Sequence, residues 1–303
     1  MSTLSPSAAL APVTVVVLTM DEAANLPRCL DSVRGWASEV FVVDSGSTDG
    51  TVEIARLRGA KVVTHDFTTH ALQWRWALAE LPLTEPWVLG LDADQSLTVE
   101  ARDEVLRHLR GATGETAGYY LRRRQVFRGR WIRHGGYYPK YLLKLFRRDA
   151  VTVGPDLVDH RFQVRGRVER LEVDLVEDNA KEGSIGFWID KHNRYAALQA
   201  REELAARQAP GALGWPPFLG TPDDRTLWLK RLWLRLPLYA RPALYFVYRY
   251  LFRLGFLDRK EGFLFHFLQA FWYRLLVDVK LEELLSGEGA LPRPAAGPLT
   301  EPR

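Results

Sequence analysis

Through its first hundred residues the chain alternates short apolar runs with stretches where apolar residues recur every three or four positions. Val13–Thr19 (VTVVVLT) is β-branched almost throughout and does not alternate, which predicts a strand buried on both faces. Leu26, Leu30 and Val33 then fall on one helix face. Glu39–Asp44 (EVFVVD) reads as a second buried strand. Ser45–Asp49 supplies turn and helix-start chemistry, and a helix is expected to run to Gly59 with Ile54 inward. A third strand at Lys61–Thr64, a helix over Ala71–Leu81 closed by Pro82, and a fourth strand at Trp87–Asp92 follow. Thr98 is placed to cap a helix carrying Val105, Leu106 and Leu109. This alternation predicts the α/β class, a parallel sheet with helices on both faces.

In open α/β sheets, ligands bind outside the carboxyl ends of the strands. Acids stand there: Glu22 after the first strand, Asp44 at the second, Asp92 and Asp94 at the fourth. Carboxylates accept hydrogen bonds from base N–H groups and ribose hydroxyls. An Asp-X-Asp pair also suits a hard divalent cation, held by one or two carboxylates plus substrate phosphates. The competing reading is that each acid caps its own helix or solvates its own loop. The first strand–helix turn, Thr19–Asn25, has no glycine, and no G-x-x-x-x-G-K-[ST] occurs, which argues against dinucleotide and P-loop sites.

Composition narrows the partners. The 303 residues are 47% hydrophobic and 26% charged, as in a globular protein, and a net charge of +4 is too mild to argue for nucleic acid. The single cysteine, Cys29, excludes an internal disulfide framework and fits a reducing compartment. No Lys or Arg precedes the apolar patch within the first twelve residues, and Asp21 and Glu22 soon follow, so a short tail is expected there and not a signal peptide. No apolar run is long enough for a spanning helix.

Thr14–Leu30, Val42–Thr51 (VVDSGSTDGT) and Leu91–Gln95, in this order and spacing, resemble the start of the family 2 glycosyltransferases, which have the GT-A fold. The resemblance implies a nucleotide-sugar donor. It assigns the base to Glu22 and Asp44, and the ribose, cation and diphosphate to Asp92 and Asp94. Thr19 and Gly46 join the donor-binding set, and Asp94 with Asp92 would ligate Mg²⁺ or Mn²⁺. Asp21 replaces the usual Asn and Gln95 the frequent Glu.

A closer resemblance, to bacterial enzymes of the lipopolysaccharide-core and colanic-acid type, continues through Gln73–Leu78 (QWRWAL), 129–146 and 189–200 to about Leu284. Arg75 stands where those relatives usually have Asn. Within Val158–Phe162 they often have His-Glu, the carboxylate being the base of an inverting displacement. This chain has Asp159-His160, and the base is either Asp159 or a His160 oriented by it. Glu177 and Asp178 lie where those relatives often have a His.

Two basic regions remain. Arg122, Arg123, Arg124, Arg128, Arg130, Arg133, Lys140 and Lys144 read either as contacts to a donor or acceptor phosphate or as a solvated strand face. The loop His134–Pro139 is expected on the acceptor side, its tyrosines available to stack on sugar rings. A helix is expected over 185–207, and near it Lys181, Lys191, His192 and Arg194 read as phosphate contacts or as a solvated face. Beyond Pro210–Pro222, aromatics and leucines interleave with Lys230, Arg231, Arg235, Arg241, Arg249 and Arg253, a pattern that fits helices lying on a bilayer interface. A subdomain packed on the sheet is the alternative.

The expected organisation is a tail at 1–11, a GT-A catalytic domain at 12–207 and a linker at 208–226. Amphipathic membrane-associating helices at 227–285 and a disordered tail at 286–303 follow. The expected function is inverting transfer of a sugar from a nucleotide-sugar donor to a lipid-linked or lipopolysaccharide-type acceptor, in cell-envelope or exopolysaccharide biosynthesis. The expected location is cytoplasmic, peripheral on the inner face of the cytoplasmic membrane, with no nucleic-acid partner. The rivals are a non-catalytic membrane-surface protein that keeps the sheet, and a sugar nucleotidyltransferase, whose Gly-rich basic loop after the first strand is missing here.

Overall fold

The structure, a computed structural model, describes residues 10–111, 115–154, 162–208 and 219–287. Its first half follows the expected alternation: β1 (Ala11–Thr19), α1 (Leu26–Val33), β2 (Ala37–Asp44), α2 (Thr51–Leu57), β3 (Lys61–Thr64), α3 (His70–Glu80) and β4 (Trp87–Asp92). The short β5 (Gln95–Leu97) and α4 (Val99–Gly111) come next. α2 stops before Gly59, whose φ of +80° turns the chain toward β3.

The second half of the sheet departs from expectation. β6 (Thr116–Phe127), the short β7 (Arg130–Trp131) and β8 (Lys140–Arg147) are followed by a two-stranded sheet of β9 (Val151–Val153) and β10 (Phe162–Val164), then by β11 (Arg167–Asp178). The main sheet runs β3-β2-β1-β4-β8-β6-β11-β5. Its first four strands are parallel, but β8 is antiparallel to both β4 and β6, so the sheet is mixed and not parallel throughout. The reason is topological. β6 returns through a hairpin-like loop, with no helical crossover, and β8 slots between β4 and β6. Within 115–147 charged residues interrupt the apolar pattern, so no strand period is visible there.

β1 buries both faces, as its lack of alternation implied. Val13, Val15 and Val17 pack toward Leu26, Leu30 and Val33 of α1 and Ala101 and Val105 of α4. Val16 and Leu18 pack toward Ala71, Trp74 and Ala77 of α3, with Phe162 of β10. Gly90 in β4 permits this second layer to close, because a Cβ there would lie 3.0 Å from the Trp74 ring and 3.2 Å from Phe162.

The remaining helices are α5 (Ile185–Gln208), α6 (Pro222–Arg235), α7 (Ala240–Val247), α8 (Arg259–His266) and α9 (Tyr273–Ser286). Wide π turns at Tyr248–Phe252 and Phe267–Trp272 extend α7 and join α8 to α9. α6 begins at Pro222, ahead of the expected 227, because Thr221 and Asp224 form a reciprocal capping box. These helices do not stand apart from the sheet. Phe265, Tyr273, Val277 and Leu281 share a core with Trp188, Ala196 and Ala200 of α5 and with Phe127 and Ile132 at the end of the sheet. Arg241, fully buried, ion-pairs with Asp278 of α9 and, at 2.6 Å, with Glu203 of α5. Packing on the end of the sheet is thus what one face of this region does. The expected tails at 1–11 and 286–303 and most of the 208–226 linker lie outside the described residues, although Ala11 already belongs to β1 and Ser286 to α9.

Candidate active site

The carboxyl ends of β1, β2 and β4 lie side by side in the sheet and are faced by the segment Asn179–Lys181 that follows β11, which bounds one strand-end crevice. Asp44 is 2% exposed and serves the loop that follows it. Its Oδ2 accepts from the backbone N–H groups of Gly46 (3.0 Å) and Ser47 (2.8 Å), and its Oδ1 accepts from Thr19 Oγ1 (3.0 Å) and from Ser47 Oγ. A φ of +87° at Gly46 aims both N–H groups at one oxygen. The loop-capping reading therefore describes Asp44 in this state, with Thr19 as its clamp. Asp21 also has a left-handed φ, +52°, which Asp and Asn tolerate better than other side chains, and its carboxylate accepts from Thr48 N–H at 2.7 Å. That explains how Asp stands for Asn at this position.

Glu22 faces across the crevice. Its Oε1 receives Lys181 Nζ at 2.7 Å and its Oε2 receives Asn25 Nδ2 at 2.7 Å. Asn25 also donates to Asn179 Oδ1 (3.1 Å), and Asn179 Nδ2 donates to Asp94 Oδ2 (3.2 Å). A continuous polar chain thus runs from Glu22 to Asp94 through two asparagines that the sequence reading did not single out. Asn side chains carry no positional signal in a single sequence, and these two are 154 residues apart.

At β4 the two aspartates differ. Asp92 Oδ2 accepts from Lys144 Nζ of β8 at 2.9 Å, an ion pair created by the unforeseen antiparallel β4–β8 pairing. Burial pushes the Asp94 carboxyl up to about 8, with Glu177 adding to the rise, Lys191 opposing it, and Asp92 and Glu22 adding further. A carboxylate raised by burial among other carboxylates is suited to a cation, which would restore its charged form. No group of three or more His, Cys, Asp or Glu side chains gathers to hold a metal among the described residues. Asp94, with Asp92 beside it, is a carboxylate pair of the kind that would fit a hard cation taking its other ligands from elsewhere.

Gln95 and Glu177 explain each other. They are directly opposed in the antiparallel β5–β11 pairing, and Gln95 Nε2 donates to Glu177 Oε2 at 2.8 Å while its Oε1 accepts from the Asp92 N–H at 3.1 Å. A Glu at 95 would set a third carboxylate against Glu177 beside Asp94. The two departures compensate.

Other expectations divide. Asp159 and His160 lie outside the described residues, and Arg75 holds the strand that leads into that segment, donating twice to the Val153 carbonyl (3.2 and 3.0 Å). Much of the basic run is spent on β11: Arg122 and Arg124 converge on Asp174, and Arg123 reaches Glu177 at 3.2 Å. The His134–Pro139 loop faces the C-terminal helices. Gly135 N–H donates to the Arg253 carbonyl (2.8 Å), His134 pairs with Asp258 (2.8 Å), Tyr137 packs on Phe265, and Tyr138 donates to Asp174 (2.8 Å). His192 is not on a solvated face. It stacks on Trp188 with ring centres 3.5 Å apart, and burial pulls it down to about 4.

Residues 14–163 match the family described as Glycosyl transferase family 2. The chain carries a family 2 glycosyltransferase domain. An uncharacterized glycosyltransferase of Rickettsia bellii is 41% identical over 93 residues, 31% of each chain, so this chain spans about a third of the length of the first curated relatives it matches. The lipopolysaccharide core biosynthesis glycosyltransferase LpsC of Rhizobium meliloti is 27% identical over 66% of this chain and 74% of its own. Among solved structures, the mannosyltransferase PcManGT of Pyrobaculum calidifontis, in complex with GDP-Man and Mn²⁺, aligns with a TM-score of 0.53 at 19% identity, over 91% of this chain and 88% of that one. The likeness shows the GT-A fold for this glycosyltransferase domain.

Proposed function

We propose that the protein is an inverting glycosyltransferase that moves a sugar from a nucleotide-sugar donor to a lipid-linked or lipopolysaccharide-type acceptor. The observation that carries this reading is the convergence of Glu22, Asp44, Asp92 and Asp94 at three strand ends of one crevice, with Asp94 raised by burial among acids. In this account Asp94, assisted by Asp92, holds Mg²⁺ or Mn²⁺, which neutralises charge on the departing nucleoside diphosphate. Thr19, Gly46 and Asp44 shape the loop that takes the nucleoside, and Glu22 contacts it once Lys181 yields. Lys144 and Lys191 add fixed positive charge around the diphosphate position. Asp159 or His160 accepts the proton of the attacking hydroxyl.

The acceptor is placed at a membrane surface, which would set the enzyme peripherally on the inner face of the cytoplasmic membrane. No helix among the described residues is long and apolar enough to cross a bilayer. Leu244, Val247, Tyr248 and Leu251 nevertheless form an i, i+3, i+4, i+7 stripe that faces outward, continued by Phe252 (76% exposed), Phe256, Leu257 and Phe263. The exposed cations Arg253, Arg259 and Lys260 adjoin it, while the nearby acid Asp258 is buried against His134. An apolar stripe with a cationic margin suits anionic headgroups over an acyl layer. A role in cell-envelope or exopolysaccharide synthesis follows from such an acceptor.

The test is turnover. A panel of UDP-, GDP- and dTDP-sugars is incubated with Mn²⁺ and a lipid-linked or lipopolysaccharide acceptor, and the product's anomeric configuration is read by NMR. Transfer with inversion supports the reading. Folded protein that turns over no donor would make it a non-catalytic surface protein, and pyrophosphate release from a nucleoside triphosphate would make it a nucleotidyltransferase.

A further inference from the structure

The arginines of this protein meet two fates. Arg122 and Arg124 are neutralised by Asp174, and Arg241 by Asp278 and Glu203. Arg249 and Arg274 form no ion pair among the described residues. Arg249 lies over the Tyr137 ring at 4.3 Å and the Tyr245 ring at 4.6 Å, donates Nη1 to the Gly135 carbonyl at 2.7 Å, and keeps a buried Nε with no hydrogen-bond partner. Arg274 lies over Tyr273 at 5.2 Å, and the acid it feels, Glu203, is already held by Arg241. Arg274 also lies over the Trp233 ring at 5.7 Å, and Trp233 packs edge-on against Tyr245, the ring that Arg249 covers, so the two cations flank one aromatic cluster. Their charges, with that of Arg123, oppose the rise that burial gives the Tyr137 hydroxyl. Arg249 and Arg274, like charges half-buried with no carboxylate of their own among the described residues, are costly, and a ligand that brings negative charge and several acceptor oxygens removes the cost.

We propose that Arg249, Arg274 and Arg123, around the Tyr137 hydroxyl, form a phosphate-binding site for the acceptor, and that its ligand is a phosphate monoester or diphosphate carried on an amphiphile. This rests on the glycosyl-transfer reading and locates the acceptor relative to the donor. Glu177 joins the two sites, since its Oε2 meets Gln95 beside the strand-end aspartates and its Oε1 meets Arg123. On the other side, Arg249 belongs to the same π turn as the outward-facing Leu251 and Phe252. An acceptor whose phosphate sits on Arg249 therefore has its apolar chain beside the apolar stripe and its sugar or phosphate oxygen toward Asp94. Of the basic residues between Arg122 and Lys144 that sequence alone offered for this role, Arg122 and Arg124 are taken by Asp174, Lys144 by Asp92, and Arg123 is shared with Glu177.

The test uses the full chain and vesicles of phosphatidylcholine carrying a polyisoprenyl monophosphate, against vesicles in which phosphatidylglycerol supplies equal charge. The wild type is expected to bind the monophosphate vesicles about tenfold more tightly, the scale of one or two charge-assisted hydrogen bonds, with inorganic pyrophosphate abolishing the preference. Arg249→Gln and Arg274→Gln are expected to erase the preference and keep binding to phosphatidylglycerol vesicles, and Arg249→Lys to retain part of it. Equal binding of the wild type to both vesicles would overturn the proposal, as would a preference that survives in a folded Arg249→Gln. If both Gln variants fail to fold, competition on the wild type decides, and a preference indifferent to pyrophosphate overturns it. Tight binding of inorganic phosphate with no vesicle preference would assign the site to a soluble phosphate and overturn the amphiphile. Calorimetric donor binding with Mn²⁺ separates this from the parent reading: Asp94→Ala is expected to lose donor binding but keep the vesicle preference.

Discussion

In the strand-end crevice almost every charge is met by a group of the same layer: Asp44 by two backbone N–H groups, Glu22 by Lys181 and Asn25, Asp92 by Lys144. Asp94 keeps only the Asn179 amide as a side-chain hydrogen-bond partner in the described set. Among the C-terminal helices the arrangement is reversed. One buried triad, Glu203–Arg241–Asp278, locks α5, α7 and α9 together, while Arg249 and Arg274 lie on aromatic rings and an apolar stripe faces out. The crevice is acid-rich, which is the character the proposed cation and nucleotide would need. The helical region carries cations beside an outward apolar stripe, which is the character the proposed amphiphilic acceptor would need. In the proposed function the charges left unsettled, Asp94 in the crevice and Arg249 and Arg274 in the helices, are the ones that take a ligand directly, whereas Glu22 must first release Lys181.

That contrast breaks most severely at the triad. Arg241→Ala leaves two buried carboxylates without their partner and is expected to cost about 3–5 kcal/mol, read by urea unfolding, with donor affinity of the folded fraction kept. A loss below about 1 kcal/mol would mean that the triad is solvated and that the helices are not fixed to α5.

Next in size is an acid limb. Burial pulls His192 and His266 down to about 4, Lys191 and Arg274 adding to the fall at His192, and Arg249 and His134 at His266, where Asp258 opposes it. A histidine lowered from 6.5 binds fewer protons folded than unfolded, so its stabilisation is present above pH 6.5 and is lost as pH falls toward 4. Each contributes on the order of 3 kcal/mol over that window. In unfolding curves taken from pH 7 down to 4.5, His266→Asn is expected to flatten the limb, and an unchanged limb would show that His266 is hydrated.

The smallest effect sharpens the surface half of the comparison. Phe252→Ser removes the most exposed aromatic of the outward stripe and is expected to weaken binding to anionic vesicles about tenfold, with stability and donor binding unchanged. Equal binding by the variant would place the membrane contact elsewhere.

The two regions also differed in how far a single sequence revealed them. The parallel half of the sheet was readable because buried strands and amphipathic helices write their period into consecutive residues, and because ligands gather at strand ends. Glu22, Asp44, Asp92 and Asp94 were singled out by that local logic, and Thr19 by the family resemblance alone. The Lys144–Asp92 ion pair, the Asn25–Asn179 link and the Gln95–Glu177 pair were not, because each depends on which distant segment lies alongside, and the antiparallel insertion of β8 leaves no trace in local spacing. In the helices, composition announced basic and aromatic character, but Arg241 and Arg249, eight positions apart, differ only in whether a carboxylate from α5 or α9 reaches them.

The central claim is that Asp94 turns this crevice into a cation-dependent nucleotide-sugar site. Calorimetric titration of nucleotide sugars with Mn²⁺ or EDTA, on wild type and Asp94→Asn, tests it most directly. The account predicts that one donor binds with Mn²⁺ and that affinity falls by about 100-fold or more with EDTA or in Asp94→Asn. Donor binding that is indifferent to both changes would contradict it.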